Sequence, residues 1–342
     1  MKIALDAAGG DFGLRPNIEG AIQAASELGV GIILVGEAQA VRSELASRGI
    51  PSTDERFEIV DAPDHVGMDE DPVAACREKP RASIMVAHEL VATRRADAVV
   101  SCGNSGAVMV AALWHLKRLP GVLRPAILAP IPTARGVTVL LDAGANTECK
   151  PWHLLQFAMM GTLYAKHVLK VEHPSVGLLS NGEEESKGND LVHEAIPLLK
   201  YSGLDFKGPI EGRDLPAGTT DVVVTDGFTG NVVLKCYEGV AAVLLAEMRA
   251  EIEKSPISKL GGLLIRGAAR NLKRRMSYDE YGGAPLLGVG GTTIICHGKS
   301  NAKAVFNAHR VARELVAAKT NEHIKTSLEE MKANLELAKV GQ

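Results

Sequence analysis

Short apolar runs alternate with longer stretches of helical period along most of this chain. Residues 2–5, 31–35, 57–60, 98–100, 137–141, 176–179, 221–225 and 292–296 are runs rich in Val, Ile and Leu, the pattern of strands buried on both faces. Segments 126–128 and 206–210 are weaker candidates. Helices are predicted from residue 16 or 17 to 28, over 37–48, 83–95, 108–117 and 151–168, up to 200, from 227 to about 254, and after 301. Residues 61–80, rich in Asp and Pro, read as a loop with one helical turn at 73–77, and 281–288 as a Gly/Pro-rich loop. The charged tail from 321 reads as a fraying helix. Strands alternating with helices of this length imply parallel βαβ units, and therefore an α/β fold with a doubly wound, mostly parallel sheet. The 342 residues suffice for one such unit, built as one lobe or two.

Several strands end in the same way. The apolar run 98–100 leads into Ser101-Cys102-Gly103-Asn104-Ser105-Gly106, and a helix follows. A strand, a Gly/Asn/Ser turn and a helix start leave backbone N–H groups exposed at the positive end of the helix dipole, which suits phosphate or another oxyanion. The grammar recurs at Asp6-Ala7-Ala8-Gly9-Gly10-Asp11, Asp142-Ala143-Gly144-Ala145-Asn146, 180–189 and Asp226-Gly227-Phe228-Thr229-Gly230-Asn231. In a doubly wound sheet these turns share the carboxyl end of the strands, so they are expected to converge on one crevice.

Composition narrows the class. A net charge of −3 gives no bulk attraction to nucleic acid. No uninterrupted apolar run reaches ~18 residues, so no membrane span is expected, and the start lacks the pattern of a signal peptide. Five cysteines without C-x-x-C spacing fit a reducing cytoplasm and argue against a zinc site or a disulfide frame. Between Glu253 and Asp279 there is no acid, while Lys259, Arg266, Arg270, Lys273, Arg274 and Arg275 are basic and Leu263, Leu264 and Ile265 form an apolar patch. Residues 255–280 are therefore expected to protrude as a helical segment. Arg266, Arg270 and Arg274, four apart, line one face. A solvated helix face is the plain alternative.

Seven motifs occur in order between residues 6 and 298: D-A-A-G-G-D, S-C-G-N-S-G-A, L-L-D-A-G-A-N with C-K-P, G-E-E-E-S-K-G-N, D-G-F-T-G-N-V-V-L-K, E-Y-G-G-A-P-L-L-G, and H-G. In this the chain resembles the bacterial acyl-[acyl-carrier-protein]:phosphate acyltransferases, the PlsX family. It departs from the usual pattern at Ala8, Phe12, Cys102, Ser105 and Ser180-Asn181. The resemblance implies a fold similar to the isocitrate/isopropylmalate dehydrogenase class and a homodimer. It implies peripheral association of a cytoplasmic protein with the membrane or with the downstream membrane acyltransferase. It also implies transfer of a fatty acyl group from acyl carrier protein to inorganic phosphate, giving acyl phosphate for phospholipid synthesis.

Such a reaction needs an anion site, donors for a tetrahedral oxyanion and a proton for a departing thiolate, without a metal or cofactor. Lys187, Asn231 and His297 are the catalytic candidates. Asp6, Gly9, Gly10, Asn104, Ser105, Asp142, Asn146, Asn189, Asp226 and Lys235 are the candidates for phosphate or oxyanion binding. Glu183, Glu184 and Glu185 would orient Lys187. Each has a plain structural alternative: a helix cap for the Asn and Asp residues, a hydrogen-bonded turn residue for His297, and small buried apolar residues for the cysteines. Leu263, Leu264, Arg266, Arg270, Lys273, Arg274 and Arg275 are the candidates for docking carrier protein or an anionic membrane surface. A metal- and nicotinamide-dependent 2-hydroxy-acid dehydrogenase is the competing enzyme reading, but it calls for Asp pairs one helical turn apart. No two Asp residues here are four apart.

Overall fold

The apolar runs become strands whose residues are almost all enclosed, and the turns at their ends give way to helices. The computed structural model describes residues 1–340, and all their side chains except those of Lys273, Tyr278 and residues 331–340. The chain begins with β1 (Lys2–Asp6), α1 (Leu14–Leu28), β2 (Gly31–Gly36), α2 (Ala38–Ser47) and β3 (Phe57–Asp61). The 61–80 segment holds a fuller helix than one turn, α3 (Pro72–Glu78), because Asp71 accepts from Ala74 N and Pro72 stands in the first turn. Then come α4 (Ser83–Ala92), β4 (Ala98–Ser101), α5 (Ser105–His115) and β5 (Ala126–Ile127).

The middle of the chain is β6 (Ala129–Thr133), β7 (Gly136–Leu141), α6 (Pro151–His167), β8 (Ser175–Leu179), α7 (Asp190–Lys200), β9 (Asp205–Ile210), α8 (Asp214–Ala217) and β10 (Val222–Val224). It continues through α9 (Gly227–Glu253), α10 (Pro256–Leu264) and α11 (Arg266–Met276). The chain closes with β11 (Ala284–Leu287), β12 (Thr292–Ile295), α12 (Ala302–Ala317) and α13 (Thr320–Val340).

The winding is divided over two sheets. One has the order β3-β2-β1-β4-β12-β11-β5, parallel from β3 to β12 and antiparallel at β11. The other has the order β6-β7-β10-β8-β9, parallel except for the edge strand β6. Two apolar cores run through both. Ile3, Leu5 and Val100 share one with Val139, Leu141 and Phe157, while Val35, Val99 and Ala111 share the other with Leu140 and Val223. Strand order reverses between β1 and β4, so their carboxyl ends open a crevice at a switch point.

Three details differ from the sequence expectation. The 281–288 segment is not all loop: β11 lies between β12 and β5, and Leu128 N donates to Pro285 O. The basic segment is two helices, since Ile265 (φ −91°, ψ 3°) ends one and precedes the other. And α9 is long and apolar enough in composition to cross a membrane, although Lys235 and Glu238 interrupt its apolar runs. Its first turns are fixed to the second sheet. Gly227 N donates to Asn146 O at 2.7 Å, and a Cβ on Gly230 would stand 1.9 Å from Asp142 O.

Candidate active site

Two buried carboxylates build the turns. Asp6, at the end of β1, accepts from Ser83 Oγ at 2.5 Å and Ser101 Oγ at 2.7 Å. Asp142, at the end of β7, accepts from the N–H groups of Ile127, Gly144, Ala145 and Asn146 and from Asn146 Nδ2, at 2.6–3.2 Å. Burial raises the pKa of both carboxyls, against the hydrogen bonds that favour the charged form. Asp6 and Asp142 are enclosed, at 2% and 0% exposure. They hold the turns in place from beneath, and neither lines the cavity. Gly9 is required by the close approach of two turns, since a Cβ there would lie 2.6 Å from Asp6 Oδ2 and 2.7 Å from Gly103 N. Asp11 N then donates to Gly298 O at 2.8 Å, which ties the first turn to the last.

Four of the five turns meet. Ser105, Gly144, Asn231, Lys235, His297 and Ser300 all line one cavity of about 430 Å³ between the two sheets. The first turn, with Gly9 and Gly10, packs behind it against Cys102, Gly103 and Gly298. The turn at 180–189 does not join. Asn189 and Asp226 line a smaller cleft with Ser180 and Thr229, on the other side of the α9 N-terminus. Lys187 is exposed and lines neither cavity. Its expected orienting partners are engaged elsewhere, Glu183 with Arg213 at 3.3 Å and Glu185 with Lys200 at 2.5 Å. A catalytic part for Lys187 thus has no geometric support in this arrangement.

Capping accounts for several of the amides. Asn104 Oδ1 accepts from Gly106 N and Ala107 N, while Nδ2 donates to the carbonyls of Gly67, Met68 and Glu70. Asn189 caps α7 through Val192 N, and Asp226 caps α9 through Thr229 N. Asn146 Nδ2 donates to Pro125 O and Asp142 Oδ2. Asn104 and Asn146 hold turns beside the cavity, and Ser105, Asn231, Lys235 and His297 are among the polar residues that line it. Lys235 Nζ pairs with Glu238 at 2.9 Å at the exposed rim. His297 Nδ1 accepts from Lys299 N at 3.1 Å, so the neutral ring carries its proton on Nε2.

The thiols of Cys149 and Cys296 are poor nucleophiles here. The neighbouring Cys102 thiol and burial together push the Cys296 thiol well up, and burial takes Cys149 to about 12.

Sequence reasoning missed much of the cavity wall. Ala129, Pro130, Ile131 and Pro132 of β6 form one side, and Leu234, Tyr237 and Ala241 of α9 another. The signal was present in the alternation of Ala129 and Ile131 with two prolines, which an edge strand tolerates. Ser300 was also missed. Its hydroxyl is buried and finds no hydrogen-bond partner among the described residues. In the basic segment, Leu263 and Leu264 are 64% and 82% exposed, and Arg266, Arg270, Arg274 and Arg275 are exposed on α11. The side chain of Lys273 lies outside those described.

The profile of the family described as "Fatty acid synthesis protein" matches residues 1–323. A phosphate acyltransferase of Elusimicrobium minutum is 53% identical over 332 residues, which is 97% of each chain. One of Pelotomaculum thermopropionicum is 51% identical, over 96% of this chain and 95% of its own. Among solved structures, a phosphotransacetylase from Streptococcus pyogenes superposes with a TM-score of 0.61 at 17% identity over 94% of both chains. A 4-hydroxythreonine-4-phosphate dehydrogenase from Klebsiella pneumoniae reaches 0.52 at 14% identity, over 92% of this chain and 98% of its own. These two likenesses establish the dehydrogenase-like α/β fold. On the near full-length match of profile and relatives, the chain belongs to the fatty acid synthesis protein family, in which its relatives are phosphate acyltransferases.

Proposed function

We propose that this cavity transfers a fatty acyl group from acyl carrier protein to inorganic phosphate and releases acyl phosphate for phospholipid synthesis. One observation carries the reading: the polar side chains of Ser105, Asn231 and His297 open into a chamber walled in part by apolar side chains of β6 and α9. Phosphate is already anionic at neutral pH. One of its oxygens attacks the thioester carbonyl, the C–O bond forms, and the tetrahedral oxyanion is held by the Ser105 hydroxyl and by Asn231. The C–S bond then breaks, the proton carried by the attacking phosphate passes to the leaving sulfur, and His297 Nε2–H donates a hydrogen bond to that sulfur as its charge develops. No acyl-enzyme is required, which suits the raised thiols of Cys149 and Cys296.

The basic face of α11 leads into the cavity, because Met276, its last residue, lines it. Arg266, Arg270 and Arg274 on this face dock acidic carrier protein beside the chamber where its acyl chain is delivered. The exposed Leu260, Leu263 and Leu264 of α10 touch the cytoplasmic face of the membrane, where the product is consumed. The exposed apolar ridge of α9, with Val240, Val243 and Leu244, pairs with a second copy of the chain.

The test is to supply palmitoyl-loaded carrier protein and ¹⁸O-labelled phosphate and to analyse the product by mass spectrometry. Palmitoyl phosphate retaining every labelled oxygen is expected. Free palmitate as the sole product would mean that the cavity serves a hydrolase.

A further inference from the structure

We propose that Ala241 sets the length of acyl chain this cavity accepts, because it is the last residue of the α9 stripe that lines the cavity from Asn231 onward. The inference rests on the acyltransfer reading. On α9 the cavity is lined by Asn231, Leu234, Lys235, Glu238 and Ala241, a spacing that keeps them on one helical face. Ten residues at 1.5 Å each carry this stripe about 15 Å along the helix axis. The polar end is fixed: a Cβ on Gly144 would stand 3.6 Å from the side chain of Asn231.

Away from that end the walls offer little to a polar ligand. Ala129, Pro130, Ile131 and Pro132 face the stripe across the cavity. None has a side-chain donor, and the two prolines lack a backbone N–H. The Tyr237 hydroxyl is engaged with Pro132 O, which leaves its ring as apolar wall and ties α9 to β6. Lys235 and Glu238 neutralise each other at the rim. The pantetheine arm of a carrier protein carries amides that need partners, and these walls supply few. An extended hydrocarbon needs none, and it fills the space beyond the reacting carbonyl.

A chain seated with its carbonyl near Asn231 therefore runs toward Ala241, the smallest side chain on the stripe. Enlarging it shortens the channel without touching the reacting end. Each methylene denied its apolar contact is worth about 0.8 kcal/mol, or about fourfold.

The experiment compares kcat/KM for palmitoyl- and octanoyl-loaded carrier protein in the unsubstituted protein, Ala241→Leu and Ala241→Phe. The palmitoyl-to-octanoyl ratio should fall by about fourfold or more in Ala241→Leu and by ~50-fold or more in Ala241→Phe, three methylenes being displaced. Thermal melting accompanies each variant. Should Ala241→Phe fail to fold, the graded Leu variant carries the test. An unchanged ratio in the folded variants, with both chains slowed equally or neither slowed, overturns the inference and leaves the acyltransfer reading standing. Absence of phosphate-dependent thiol release by the unsubstituted protein with both chains overturns that reading and the inference together.

Discussion

Asp142 shows how a single side chain can dictate a site without facing it. Its two oxygens take five donors from the turn that follows and from β5, in a place closed to water. Removing the carboxylate strands those donors, each at about 1–3 kcal/mol when buried. Asp142→Ala should therefore lose more than ~3 kcal/mol in urea unfolding, and activity should fall with it. A loss under 1 kcal/mol would show that the donors find other partners. His297 makes the opposite case, exposed at the cavity mouth with its proton placed on Nε2 by the Lys299 amide. His297→Ala should lower kcat about 10²-fold while the melting temperature holds, the loss belonging to one hydrogen-bond donor on the departing sulfur. At this scale the turn residues were legible because Gly, Asn and Asp have few reasons to cluster after an apolar run. Ala241 and Tyr237 were not legible, since an alanine and a tyrosine on a helix carry no mark of the cavity they line.

Helices α4 and α12 each bury a histidine that is kept neutral. His88 Nδ1 and His309 Nδ1 donate to the carbonyls of Ile84 and Val305, both at 2.8 Å, and burial takes each ring down to about 4. The unfolded chain protonates these rings near 6.5, the folded one near 4. The unfolded state therefore binds more protons in that window. Their contribution is fully present above 6.5 and is lost as pH falls toward 4, at up to about 1.4 kcal/mol per pH unit for each ring. His309→Leu should flatten the fall in stability between pH 6.5 and 4 by one ring's share, read by denaturant unfolding at several pH values. An unaltered slope would place the proton uptake elsewhere. The major helices and the long strands were legible from their periods. β6 and β11 were not, because each is short and holds proline, and what makes them strands is a neighbour distant in the chain. β6 pairs with β7, and β11 is held between β12 and β5.

For the molecule as a whole, the decisive fact is that one cavity is lined by strands of both sheets and by α9. The alternation of strand and helix foretold parallel sheets and ligand turns at their carboxyl ends. It could not say that the strands would divide between two sheets, nor that the 187–189 turn would open beyond the α9 N-terminus, since both follow from strand order. Lys187, read as a charge aimed at phosphate, is exposed and lines neither cavity. The basic face of α11 also belongs to this scale. Arg266→Glu with Arg270→Glu and Arg274→Glu should raise KM for acyl carrier protein about tenfold, each exposed charge contributing less than ~1 kcal/mol, and added salt should narrow the gap. A salt-independent KM equal in both proteins would remove α11 from carrier docking.

Direct attack by phosphate is the claim on which the whole arrangement turns, and single-turnover thiol release tests it most directly. Enzyme in excess over palmitoyl-loaded carrier protein is mixed with and without phosphate, and the freed thiol is followed in time. No release is predicted without phosphate, and complete release with it. A burst of thiol in the absence of phosphate would reveal an acyl-enzyme and contradict the account.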